Sequence, residues 1–132
     1  FTLSLHAEKN FPVRKARSSL DVALPDGTSD ADYLDVLGAH LPGVLDEFAP
    51  DIVLYQAGVD PHENDKLGRL ALTDEGLERR DRYVVEIVRG RDLPIASALG
   101  GGYGTDPRVV AERHARSMIA MARENAAFAR SS

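Results

Sequence analysis

The stretch DIVLYQAGVD, Asp51 to Asp60, decides the fold. Its Ile52-Val53-Leu54-Tyr55 run is apolar without polar alternation, the pattern of a strand buried on both faces in a parallel sheet. Gly58 then lets the backbone turn closely toward Asp60. A second such run, Pro94-Ile-Ala-Ser-Ala-Leu99, leads straight into Gly100-Gly101-Gly102-Tyr103-Gly104. Between the two runs, Thr73 caps a helix reaching about Val88, with Leu77, Val84 and Ile87 or Val88 facing inward and Gly90 ending it. Upstream, Ser29 or Asp30 caps a helix with an apolar stripe of Leu34, Leu37, Leu41, Val44 and Phe48, which Pro42 should kink or divide. Downstream, Thr105-Asp106-Pro107 opens a last helix whose stripe is Val110, His114, Met118 and Met121. Phe1 to Leu5 and Leu20 to Leu24 read as further strands, the latter closed by the turn Pro25-Asp26-Gly27. The polar residues 6–19 between them, with Lys9, Arg14, Lys15 and Arg17 around Phe11-Pro12, form an irregular functional or linking loop. Strands and helices alternate with crossovers near 30 residues. The prediction is an α/β fold, a mostly parallel sheet with helices packed on it.

The 132 residues suit one domain, and no repeat or low-complexity stretch interrupts them. Lys and Arg number 16 against 21 acids, a net charge of -5, so there is no cationic field to hold polyphosphate and nucleic acid is not an expected partner. An acidic surface would suit a basic peptide or polyamine, or simply solubility. Cys is absent, which excludes disulfides, thiolate zinc sites and a Cys nucleophile, so any metal must sit on Asp, Glu or His. No apolar run approaches the roughly 18 residues that span a bilayer, and no membrane partner is expected. The expected location is cytoplasmic. The chain opens on Phe1, already strand-like and without a Met, and reads as a piece of something longer.

Ligands of such sheets bind beyond the carboxyl ends of the strands, which directs attention to the segments after Ala57 and after Leu99. Asp60, placed at a strand end behind a glycine, suits a hard or borderline metal, or merely braces the turn. His62 makes an Asp-x-His spacing with it, although two ligands are not a site and a loop histidine is commonly solvated. The three glycines before Tyr103 require either unusual backbone angles or a close approach. They form a wall presenting the Tyr103 phenol to an oxyanion, a phosphate cradle at the last helix, or a plain tight turn. The cradle lacks a Walker lysine and does not fit GxGxxG. His114 reads as a core histidine, His40 has no evident partner, and spacing reveals no Ser-His-Asp arrangement.

Taken in order, Ser4-Leu5-His6, Phe11-Pro12, Pro25-Asp26-Gly27-Thr28 with Asp30 and Tyr33, Pro50-Asp51, Ala57-Gly58-Val59-Asp60 with Asp65, Leu67-Gly68, Leu72-Thr73 and Gly76, then Leu99-Gly-Gly-Gly-Tyr103 resemble the carboxyl-terminal half of the histone deacetylase family. The chain looks most similar to bacterial class IV-like members. The resemblance covers almost all of it and implies the three-layer arginase/deacetylase fold, with residues 1–132 as the C-terminal part of a single domain. It implies zinc-dependent hydrolysis of an acetyl-lysine, acetylpolyamine or similar N-acyl amide. By resemblance Asp60 is one of three protein ligands to zinc and Tyr103 polarises the acyl carbonyl. Gly101 and Gly102 match the wall of the acyl-lysine tunnel, with Phe11 and Leu67 as further lining. Ser4, through its hydroxyl, and Leu5, through its carbonyl, match part of a monovalent-cation site, which would take potassium. The family's His-His pair and its Asp-x-His zinc ligands lie upstream of the matched region. The expected partner is therefore the N-terminal half of the same domain, and these residues alone are expected to be inactive. Asp60-Pro61-His62 is not that Asp-x-His segment, which leaves His62 without a role. The alternative is a non-catalytic interaction module of the same fold. Without its other half, the sheet is expected to expose a strand edge and an apolar face.

Overall fold

A computed structural model describes residues 1–12 and 14–131. Strand β1 (Leu3–Ala7) pairs in parallel with β2 (Leu20–Leu24), Leu3 opposite Leu20. Helix α1 (Asp30–Phe48) follows, then β3 (Val53–Gly58), α2 (Asp74–Arg89), β4 (Ile95–Gly100) and α3 (Pro107–Ser131). Strands β3 and β4 are also parallel, in register from Val53 opposite Ile95 to Gly58 opposite Gly100. The expected α/β class with parallel strands and packed helices is the one observed. The first strand lies two residues later than its composition suggested, because β1 takes its register from β2.

Ser29 caps α1, its hydroxyl accepting the Asp32 N–H, while Thr73 caps α2 by accepting from Gly76. The Asp30 carboxylate crosses from the first turn of α1 to accept both the N–H (2.8 Å) and the hydroxyl (2.7 Å) of Thr73. It occupies the space where a side chain at Gly76 would lie, so the two helix starts meet on one carboxylate.

The buried stripe of α1 is Tyr33, Leu37, Leu41 and Leu45, rotated by about a position from the expected one. Leu34 and Val44 flank it half-buried. Phe48 is exposed and packs on Phe1, ring centroids 5.5 Å apart. The stripe turns because the aromatic Tyr33 enters the core with a strict four-residue step behind it. Nor does Pro42 divide the helix, which runs unbroken to Phe48. A proline in a helix interior costs about 3 kcal/mol, and burial of Leu37, Leu41 and Leu45 at roughly 2 kcal/mol each exceeds it.

The main core joins β1, β2, α1 and α2 through Leu24, Leu37, Leu77, Val84 and Val88. A smaller one packs Ala57 on Val85 and Met121. The doubly buried strands expected from their apolar runs are not found: β3 is covered on one face, and residues 96–99 of β4 are all exposed. In β3, Ala57 is sealed while Leu54 is 78% exposed, and most of β4, including Leu99, is exposed. Helices α2 and α3 pack against this pair through Val85, Met118 and Met121, which meet Tyr55, Ala57 and Ile95. Among the described residues, no helix is long and apolar enough to cross a membrane.

Candidate active site

Asp60 and Tyr103 follow the carboxyl ends of the paired strands β3 and β4, and the glycines before Tyr103 bring its loop against Asp60. A Cβ at Gly100 would lie 2.6 Å from the Gln56 amide nitrogen. At Gly101, where φ is +59°, it would strike the Asp60 carboxyl group, and at Gly102, where φ is +99°, it would meet Val59 and Val110 at 2.7 and 2.8 Å. Both reasons for a glycine, the left-handed backbone and the close approach, therefore hold at positions 101 and 102. Gly101→Ala is expected to cost about 1–3 kcal/mol in chemical denaturation, from backbone strain and displacement of Asp60. Gly43→Ala, at a helical position with nothing within 4 Å, is expected to stabilise by about 0.5–1 kcal/mol. Equal effects at the two positions would refute this account of the glycine loop.

Asp60 is half-buried, and desolvation pushes its carboxyl pKa up, with the nearby Asp65 charge adding to the rise. An anion made uncomfortable in this way is a natural cation ligand. The donor set fits one corner of a catalytic zinc site: no group of three His, Asp or Glu side chains converges among the described residues. Two further ligands would have to come from other polypeptide.

Behind the site lies a charged network. Arg80 and Asp81 are 3% and 0% exposed. Arg80 Nε donates to Asp81 Oδ1 at 2.9 Å and Nη1 donates to the Gly58 carbonyl at 2.8 Å, bracing the end of β3 two residues before Asp60. The Tyr55 hydroxyl donates to the same Asp81 oxygen at 2.6 Å, and the Arg80 guanidinium lies 5.9 Å from the Tyr55 ring centroid. Burial raises the Tyr55 and Tyr33 phenols, keeping both neutral. Asp81 Oδ2 and Arg80 Nη2 complete no hydrogen bond.

The other histidines serve structure. His62 is 2% exposed rather than solvated. Its Nδ1 accepts the Asn64 N–H at 3.0 Å, so Nε2 carries the proton facing Asp74 at 3.2 Å. Burial lowers its pKa, as does the Arg113 charge, which shares Asp74. His114 is half-buried rather than a core histidine: its Nε2 lies 3.2 Å from the Gly101 carbonyl, holding the glycine loop to α3, while its buried Nδ1 has no hydrogen-bond partner. His40 Nδ1 bonds the Val36 carbonyl.

The tight loop after Asp60 brings Leu67, 60% exposed, beside Tyr103, because the adjacent Lys66 N–H donates to the Tyr103 carbonyl at 2.9 Å. Phe11, 87% exposed, sits on the loop between β1 and β2, its N–H bonded to the Asn10 side chain. On β1, Ser4 Oγ is 3.0 Å from His6 Nδ1, and Leu5 pairs with Val22. Amides that a phosphate cradle would need are already committed. The Asp65 carboxylate takes Tyr103 N–H, and Asp106 takes Arg108 N–H in the first turn of α3.

The family model described as the histone deacetylase domain matches residues 1–120. The chain belongs to the histone deacetylase family. A similar relative is an uncharacterized protein of Picosynechococcus, 46% identical over 114 residues, covering 86% of this chain and 38% of that protein. Histone deacetylase 2 of Arabidopsis thaliana is 33% identical over 101 residues, which cover 74% of this chain and 26% of that one. The crystal structure of acetylpolyamine aminohydrolase from Burkholderia pseudomallei shares the fold, with a TM-score of 0.74 at 22% identity over 96% of this chain and 37% of that one. This histone deacetylase-family chain thus spans well under half the length of the relatives it matches.

Sequence reasoning missed the Arg80–Asp81 pair, although a signal was there. Leu77, Val84 and Val88 leave positions 80 and 81 on the inward face of α2, where a charged pair must be buried and must find partners. The role of Asp65 is not legible in the sequence, since nothing in its spacing shows that it reaches Tyr103.

Proposed function

We propose that this chain supplies one zinc ligand and the oxyanion donor of a metal-dependent deacylase acting on acylated primary amines, such as acetyl-lysine or acetylpolyamine. The observation that carries the reading is the contact of Gly101 with Asp60, which sets the Tyr103 loop against a carboxylate at the ends of two parallel strands. Membership of a deacetylase family supports the reaction class.

Asp60 would hold zinc together with two ligands from the remainder of the domain. Bound there, zinc would acidify a water molecule and polarise the acyl carbonyl. Tyr103 donates its phenolic proton in a hydrogen bond to the carbonyl oxygen as negative charge gathers on it. Gly101 and Gly102, packed against Asp60, Val59 and Val110, would present bare main chain as the wall of the acyl-lysine tunnel, with Leu67 and Phe11 as apolar lining nearer the entrance. The general base is a histidine outside these residues. Ser4 Oγ and the Leu5 carbonyl would contribute to a potassium site that steadies β1.

A chelator added to the complete protein is expected to abolish hydrolysis of an acetyl-lysine peptide, and zinc to restore it, while residues 1–132 alone show no turnover. Chelator-resistant turnover by the complete protein, or turnover by these residues alone, refutes the proposal.

A further inference from the structure

Three glycines precede Tyr103, and the Tyr103 side chain is 56% exposed, so neither local stiffness nor packing of the ring fixes the phenol. The main chain does. Asp65, half-buried, accepts the Tyr103 N–H through Oδ2 at 2.6 Å and the N–H groups of Leu67 and Gly68 through Oδ1 at 2.8 and 2.7 Å. The next residue, Lys66, donates its N–H to the Tyr103 carbonyl. Both backbone polar groups of Tyr103 are thus held by residues 65 and 66. The Asp65 N–H itself donates to the His62 carbonyl at 2.9 Å, in the loop that carries Asp60.

We propose that Asp65 is the positioning residue of the reaction, locking the backbone of Tyr103 to the loop that carries Asp60 so that the phenol is aimed before substrate arrives. The inference rests on the catalytic reading of Tyr103 given above. Three charge-assisted hydrogen bonds converge on one carboxylate, each stronger than its neutral counterpart. Asparagine in its place keeps the shape but turns an NH2 group toward a backbone N–H on one side or the other. The tether then fails while the volume is unchanged. Because misplacing a reacting group by about 1 Å can cost on the order of 100-fold, the loss should appear in turnover rather than in substrate binding.

The test uses the complete protein carrying Asp65→Asn, Tyr103→Phe and both together. Amide exchange of the peptide covering residues 101–106 is read by mass spectrometry, and kcat and KM with an acetyl-lysine peptide. Asp65→Asn is expected to speed exchange at Tyr103 at least tenfold. It should lower kcat about 10- to 100-fold with KM within threefold and metal content unchanged. The double variant should be no more than threefold slower than Tyr103→Phe alone, because Asp65 acts only through the phenol. Unchanged exchange overturns the proposal, and so does a full, additive loss from Tyr103→Phe in the Asp65→Asn background. If the Asn variant does not fold, Asp65→Glu replaces it, keeping the charge while displacing the carboxylate, with the same expectations and the same refutations. Absence of turnover in the unaltered protein sinks the catalytic reading instead, and the proposed aiming role with it, while the exchange result still decides whether Asp65 sets this loop.

Discussion

If the complete protein carries the proposed activity, Tyr103→Phe is expected to lower kcat on the order of 100-fold, the usual cost of removing one oxyanion donor. The substitution deletes one hydroxyl and leaves the ring. The backbone of residue 103 stays held at both its N–H and its carbonyl, so the loop has no reason to move. The effect belongs to the transition state, because the carbonyl oxygen carries most of its charge only when the tetrahedral species forms. The Michaelis constant should therefore shift by less than about fivefold while kcat and kcat/KM fall together. Steady-state rates with an acetyl-lysine peptide and with an acetylpolyamine measure this directly. A loss below about threefold on both substrates would mean that the exposed phenol serves some other purpose.

The largest stability effect should come from Arg80→Leu, which strands the Asp81 carboxylate in the core. Removing one partner of a buried pair costs about 3–5 kcal/mol. Here it also frees the Gly58 carbonyl and leaves the Tyr55 hydroxyl as the remaining side-chain donor to Asp81. The double variant Arg80→Leu with Asp81→Leu should recover at least about 2 kcal/mol of that loss, since the uncompensated charge disappears. Urea denaturation monitored by circular dichroism would show the order of midpoints: parental, double, then single. If the double variant is as unstable as the sum of the two singles, the pair is not acting as a unit and the buried network does not have the energetics assigned to it.

Much of the architecture could be read directly from residues. Leu20–Leu24 forms the expected strand, Thr73 and Gly90 bound α2 as propensity requires, and the parallel pairing follows from the two apolar runs. The glycine triplet announced a close approach, and the structure shows what approaches. Other features were out of reach for physical reasons. An apolar run records how hydrophobic a strand is, not which polypeptide covers it, so the exposure of Leu54 and Leu99 could not be foreseen. The stripe of α1 is decided by which of several adjacent large residues enters the core, and Tyr33 entered in place of Leu34. His62 looked like a surface residue because the Asp74 and Asn64 contacts that bury it depend on a folded-back loop. Asp65 reaches Tyr103 across 38 positions of sequence, a pairing that single-sequence patterns do not encode.

The parallel register of β3 and β4 also governs the order in which the molecule can assemble. A parallel pair cannot close through a tight hairpin, so Val53 meets Ile95 only after all of α2 has been enclosed between them. Closing so long a loop carries an entropic cost that the local helices never meet. The Asp60–Gly101 contact lies just beyond the Gly58–Gly100 end of that pair and depends on its register. A reporter on the Tyr103 loop is therefore a reporter on formation of the long-range β3–β4 pair.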